Sequence, residues 1–429
     1  MQPRSAEQER LLHRAASAVG RCLGTFRLPD DLAIVVARGS GSRVWDTDGR
    51  EFIDYVLGSG PMLIGHAHPA VVAAVQRQVE LGSTFYTLNE PIIELAERMI
   101  DAIPCAEQVK FVSTGTEATL HAMRIARTYT GKPLVLKFEG GFHGVNDYAL
   151  MSAMAPRPTD YPRPIPDSAG IPREVEADVL VARWNDIDLL RELIATQADR
   201  LAAVICEPLQ RSLVPAPGFL AELRELTRRH GVLLIFDEIV TGFRLAYGGG
   251  QERYGVVPDL ATYGKVIGGG YPLAAVAGPA EILAVTDPTR RGKAPFAYLS
   301  GTLNGNPISA VAGLATLDVL REPGTYERLY ATTERLTSGL KELAAERDIP
   351  IVVAGDGPVF QVFFTDAPVH DYPDVLRTDR ARARAFGLAC VERGLFLNPG
   401  EKFYVSLAHT DEDVDRTLEI FASALDAIA

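Results

Sequence analysis

The chain has 429 residues, 47% of them hydrophobic and 23% charged, which is the make-up of a globular protein with a large domain and a smaller partner and not of a disordered chain. Its formal charge of −12, from 43 Lys and Arg against 55 Asp and Glu, argues against a nucleic-acid binder, because such affinity comes mostly from basic side chains on phosphates. The N-terminus has no apolar core of signal-peptide kind and no run of about eighteen apolar residues occurs, so no membrane partner and a cytoplasmic location are expected.

Residues 34–55 read as a hairpin: Ile34–Arg38, then Arg43–Trp45 before the turn Asp46-Thr47-Asp48-Gly49, with Phe52–Tyr55 returning. The local pair His66 and His68, inside Gly65-His66-Ala67-His68-Pro69, lacks a thiol or carboxylate in metal-ligand register and reads as a turn. Cys22, Cys105, Cys206 and Cys390 are widely spaced, which suggests buried small hydrophobes and neither a disulfide framework nor a zinc site.

Between about 105 and 310, short apolar runs alternate with amphipathic stretches. The predicted strands are Val109–Val112, Leu134–Phe138, Leu201–Cys206, Val232–Phe236, Leu260–Tyr263 and Ala274–Ala277, with helices over Thr116–Tyr129 and Pro217–His230 among those between. Continuous apolar strands separated by helices predict an α/β fold with a mostly parallel sheet covered on both faces. A long helical pattern opens at Asn306-Pro307. Beyond Pro323, helices mixed with strands at Val359–Phe364 and Leu395–Leu397, and a capped last helix after Thr410, predict an α+β domain. The expected division is 1–55 as a segment joining the small domain, 56–310 as the large domain and 311–429 as the small one.

Several loops could carry chemistry. Thr114-Gly115-Thr116-Glu117 takes a strand into a helix, where free N–H groups and the positive dipole end can cradle a phosphate; the plainer reading is a capped helix. Phe142, in Phe138-Glu139-Gly140-Gly141-Phe142-His143-Gly144, is placed to stack on a flat heterocycle, with His143 beside it. Asp237 ends a buried strand, a costly place for a carboxylate without a cation or donor, and Ile239 follows two residues later. Lys265 precedes Gly268-Gly269-Gly270, a run that lacks the context of a dinucleotide loop. A lysine is usually a solvated surface residue, yet one with a depressed pKa can form a Schiff base and act as a base. Together Asp237 and Lys265 are what a pyridoxal phosphate enzyme needs: an amine to hold the aldehyde and a carboxylate to keep the ring nitrogen protonated. The small-residue loop Leu299–Pro307 could supply a second phosphate-binding hydroxyl, Thr302; taken alone, the plainer reading is an ordinary polar loop.

With these loops in this order, roughly residues 30–425 resemble the class III, fold type I, pyridoxal phosphate aminotransferases, and within them the glutamate-1-semialdehyde 2,1-aminomutase branch. Trp45–Gly49, Gly60–Pro69, Thr114–Ala118, Phe236–Glu238, Thr241–Arg244 and Gly264-Lys265 carry the resemblance. It implies a large domain with a seven-stranded type of sheet and a smaller α+β domain. It also implies that Lys265 holds the cofactor as a Schiff base, Asp237 pairs with its ring nitrogen, and Phe142 and Ile239 cover its two faces. The amides of Gly115 and Thr116 hold its phosphate, and Thr302 reaches the phosphate of a neighbouring subunit in a homodimer with shared active sites.

The expected activity is amino transfer between an amino acid or amine donor and a keto or aldehyde acceptor. Intramolecular aminomutation is the alternative, an amino-acid racemase a third reading, and a binding protein without turnover a fourth. Where relatives carry a glutamate or asparagine beyond Glu207, this chain has Ser212; Glu401 loosely matches an acid in the C-terminal stretch; and the proline-rich segment Arg157–Arg173 is longer than the aminomutase gating loop whose place it fills. Arg27, ahead of Arg21 and Arg211, is the expected partner of a substrate carboxylate, since arginine matches that group bidentately.

Overall fold

The computed structural model describes residues 4–20, 23–24 and 26–429, and the chain forms two compact units. The first comprises Met1–Pro69, Pro323–Pro368 and Thr378–Ala429, and the second Ala70–Glu322 and Val369–Arg377. These limits differ from the expected 55/56 and 310/311. Residues 56–69 cluster with the first unit, where Leu63 O accepts from Leu407 N at 2.9 Å and His66 Nε2 meets Asp54 Oδ2 at 2.7 Å. The helix Pro307–Leu320 runs unbroken through 310/311, and Gly313 lets it lie against the Ile267 carbonyl and Leu95 of the second unit. Val369–Arg377 belongs to the second unit through Arg183 Nε to Asp371 Oδ2 at 2.6 Å and Tyr372 Oη to Ala155 O at 3.0 Å.

In the first unit β1 (Val36–Ser40), β2 (Arg43–Asp46) and β3 (Glu51–Asp54) form an antiparallel run. The first strand lies two residues later than the Ile34–Arg38 expected, and its register slips between Val36 and Arg38.

The second unit is built on seven strands: β4 (Gln108–Val112), β5 (Leu134–Phe138), β6 (Val179–Ala182), β7 (Leu201–Cys206), β8 (Leu233–Asp237), β9 (Leu260–Tyr263) and β10 (Ala274–Gly278). Their order is β4-β10-β9-β8-β7-β5-β6, parallel except for β10, which is antiparallel to both neighbours. The strands β5, β7, β8, β9 and β10 are buried at every position, as their mainly apolar sequences require, and the polar Lys137, Asp237 and Thr262 among them are buried too. One face is covered by the helix Gly115–Thr130, whose Ala118, Ala122, Ile125 and Ala126 pack on Val135, Ala203, Ile235 and Val276. These small side chains let the helix lie close to the sheet, so its first turn sits at the sheet edge.

Returning to the first unit, β11 (Ile351–Gly355), β12 (Val359–Phe364) and β14 (Phe403–Tyr404) form a second sheet, and β13 (Leu395–Phe396) joins β3 in parallel. Leu336, Leu340, Phe360, Phe386, Phe403 and Phe421 lie in its core. The last helix, Asp411–Asp426, starts with the expected capping box, Thr410 with Asp413. Among the described residues no helix is long and apolar enough to cross a membrane.

Candidate active site

Strands β4, β5, β7, β8 and β9 run in one direction, so their carboxyl ends share one edge of the sheet. The loops that leave this edge carry Gly115 and Thr116, Phe142 and His143, Ser212, Ile239, and Lys265. Ligands of open α/β sheets bind at that edge.

Asp237 ends β8, the central strand, and is 3% exposed. Its Oδ1 accepts from Thr262 Oγ1 and from Ile239 N, both at 3.1 Å, and its Oδ2 contacts His143 Nδ1 at 2.8 Å. Three donors hold the carboxylate, and a carboxylate has about four acceptor sites. Sequence reading placed His143 beside the cofactor; the structure brings it in through Asp237. Thr262 was missed. It is the one aliphatic hydroxyl in the strand Leu260-Ala261-Thr262-Tyr263 and stands opposite Asp237 in the β8–β9 register. The next residue, Glu238, serves a separate network: it accepts from Thr241, from Gly250 N at 2.8 Å and from Gln251 N at 3.0 Å, and burial raises its pKa to about 7.

The helix Gly115–Thr130 opens with Thr114 as N-cap and a complete capping box with Glu117. That box uses the Glu117 amide and leaves the Gly115 and Thr116 amides, at the first two helical positions, without intrahelical acceptors. Gly144 packs against this turn: with φ +88°, a Cβ there would lie 2.6 Å from Thr116 Oγ1 and 2.7 Å from Thr116 Cα. Ile239 lies between two backbones, because a Cβ at Gly115 would meet its Cδ1 at 3.2 Å and one at Gly264 at 3.0 Å. The helix start, Ile239 and the residue before Lys265 therefore converge.

Lys265 opens a short 3-10 turn, Lys265–Gly268, and adopts φ +47°, which is uncommon for a non-glycine residue. Val266 and Ile267 are fully buried and fix the turn beneath it, while Lys265 itself is half-buried. Phe142, also half-buried, donates its amide to Glu207 Oε1 at 2.9 Å, and the Arg211 guanidinium carbon stands 5.7 Å from its ring centroid. Ser212 is fully buried in the bridge between Gln210 and Leu213. Thr302 is exposed in the loop ahead of Pro307–Leu320, and no hydrogen bond joins it to the other candidates among the described residues. Arg27 and Glu401 belong to the first unit: Arg27 is exposed and pairs with Asp30 at 3.4 Å, and the Glu401 amide closes a turn onto Asn398 O. Arg21 and Cys22 lie outside the described residues.

The groups at this edge fit pyridoxal phosphate. A buried carboxylate keeps one acceptor site, two helix-start amides suit a phosphate, and an amine follows the neighbouring strand. Such a fold and such a site define a fold type I enzyme dependent on this cofactor. The model of the aminotransferase class-III family matches residues 27–425, and the chain belongs to that family. It is 44% identical over 391 residues to a glutamate-1-semialdehyde 2,1-aminomutase of Desulforudis audaxviator (strain MP104C), covering 90% of this chain and 89% of that protein. Its fold matches an omega-transaminase from Sphaerobacter thermophilus with a TM-score of 0.93 at 37% identity, over 100% of this chain and 98% of the other. A transaminase with PLP bound matches with a TM-score of 0.89 at 29% identity, over 98% and 97%.

Proposed function

We propose that the chain is an aminotransferase that exchanges an amino group between an amino acid or amine and a keto or aldehyde acceptor, releasing the first product before the second substrate binds. The observation that carries this reading is how the segment after the Phe142 loop is tied down. An aminomutase has to retain its half-converted substrate, which asks for a segment able to close over the site. Here Ser152 N donates to Ile165 O at 2.7 Å, Ile165 N to Ser152 Oγ at 2.9 Å, and Thr159 N to Glu139 Oε1 at 2.6 Å. Tyr161 also donates to Glu139, which is fully buried, and Asp167 accepts from the amides of Ala153 and Met154 at 2.7 and 2.9 Å. Opening this segment would leave buried polar groups unpaired, so it behaves as wall and not as lid.

When bound, pyridoxal phosphate supplies the electron sink for a proton lost from the substrate carbon. Lys265 Nζ, on its rigid turn, is the group that attaches the cofactor and then moves that proton. Asp237 provides the negative charge opposite the ring nitrogen, held in place by Thr262, the Ile239 amide and His143. Gly115 and Thr116 amides take the phosphate, Phe142 and Ile239 the two ring faces. Ser212, on a loop of the same sheet edge, is the proposed substrate contact; Ser212→Ala with an unchanged KM would reject its part.

A homodimer is part of the proposal. The loops 83–89 and 298–306 are joined by Asn306 Nδ2 to Ser83 O at 2.6 Å and Asn89 Nδ2 to Gly305 O at 2.9 Å. They expose Phe85, Tyr86, Leu88, Tyr298 and Leu303 around Thr302, an apolar patch that a second copy would cover. A cytoplasmic location is likewise proposed, and cell fractionation tests it.

The reaction is tested by giving the pyridoxamine form of the enzyme candidate keto acids and aldehydes with no donor present. An aminotransferase releases one amino product per site and stops. Release of an isomerised amino acid over many turnovers, without any keto product, would establish the aminomutase instead.

A further inference from the structure

A lysine inside a strand points to how the Phe142 loop is held. Lys137, in β5, is 1% exposed, and its ammonium donates to three backbone carbonyls: Gly141 O at 2.9 Å, Ala149 O at 3.0 Å and Met151 O at 2.6 Å. All three N–H groups of the side chain are thereby used. Glu207, 4% exposed, approaches from the end of β7; its Oε1 accepts from Phe142 N at 2.9 Å and its Oε2 from Arg211 N at 3.4 Å.

Gly141 C=O and Phe142 N–H are the two ends of a single peptide group. Its oxygen meets a buried cation and its N–H a buried anion. A trans peptide directs these two groups oppositely, so a flip would turn the carbonyl toward Glu207 and the N–H toward Lys137. Gly141 itself is confined, since a Cβ there would lie 3.1 Å from Phe138 O and 3.2 Å from His143 Nε2.

We propose that Lys137 and Glu207 are positioning residues that grip the Gly141–Phe142 peptide from its two ends and so set the Phe142 ring and His143 for the cofactor. The proposal rests on the reading of Phe142 as a ring-stacking residue. Burial lowers the Lys137 pKa to about 8, opposed by Asp167, Glu207 and Glu139, while its three carbonyl acceptors require three N–H donors, which only the ammonium form supplies.

Hydrogen exchange on the wild-type protein tests the grip without any substitution: the Phe142 amide, in a loop, exchanges slowly, and rapid exchange would overturn the proposal. Lys137→Gln and Glu207→Gln then test the link to the site. Each is expected to speed exchange at Phe142, to change the visible circular dichroism of the bound cofactor, and to weaken cofactor retention about tenfold or more, the loss of a charged hydrogen bond. Wild-type retention and dichroism in either folded variant would overturn the positioning role. Phe142→Ala separates the two readings: unchanged cofactor retention in that variant, with the amide still protected, removes the stacking role and leaves the grip standing.

Discussion

Replacing Asp237 by Asn keeps the shape of the side chain and removes its charge. The carboxylate is 3% exposed and takes hydrogen bonds from His143, Thr262 and the Ile239 amide at 2.8, 3.1 and 3.1 Å. The Asn oxygen can still serve Thr262 and Ile239. Its amino group then faces His143 Nδ1, which can accept only if the ring proton moves to Nε2. Nothing negative remains opposite the cofactor nitrogen. A hydrogen bond to a charged group contributes about 1.5–3 kcal/mol, so cofactor retention should weaken by about ten- to a hundredfold. The half-reaction with an amine donor should slow by at least as much, because the ring charge matters most once the substrate carbon has lost its proton. Dialysis measures retention, and stopped-flow absorbance of the cofactor measures the half-reaction. A cofactor-free melting curve equal to the wild type's shows that the fold is intact. Wild-type retention and rate in a folded Asp237→Asn enzyme would refute the assigned role.

Gly144→Ala forces a Cβ onto Thr116 at a left-handed φ of +88°, and should lower stability by about 1–3 kcal/mol while weakening phosphate binding; an unchanged denaturation midpoint would show that the turn is not tightly packed. His409 is stacked on Tyr55 at 4.7 Å and accepts from Ser406 N at 3.0 Å, and burial drives its pKa down to about 4 from 6.5. In that window the unfolded chain binds the extra proton, so stability falls as pH drops from 6.5 toward 4, by about 3 kcal/mol in all from this one group. Glu238 acts oppositely: with its pKa raised from 4.5 to about 7, its contribution is lost as pH rises through that range. The difference in unfolding free energy between His409→Gln and wild type, measured across the acid range, isolates the histidine, and two parallel pH profiles would contradict its assignment.

The large sheet was legible because most of its strands are short, largely apolar runs that need burial on both faces. β6 escaped, being four residues long at the sheet's edge. The division into units was less legible: the short stretch Val369–Arg377 belongs to the second unit through Arg183 and Ala155, and partners so distant in sequence leave no local signal. Asp237 and Lys265 stood out as charges where apolar strands end. Thr262 did not, because its tie to Asp237 is set by strand register, and Lys137, although it interrupts Leu134-Val135-Leu136, shows its purpose only when three carbonyls close around it.

Trapping the attached cofactor tests the central assignment most directly. Borohydride reduction of the holoenzyme, followed by peptide mapping, should place one pyridoxyl group on the Nζ of Lys265, and Lys265→Ala should leave no such adduct. An adduct on any other lysine, or a visible cofactor band that survives intact in Lys265→Ala, would contradict the account.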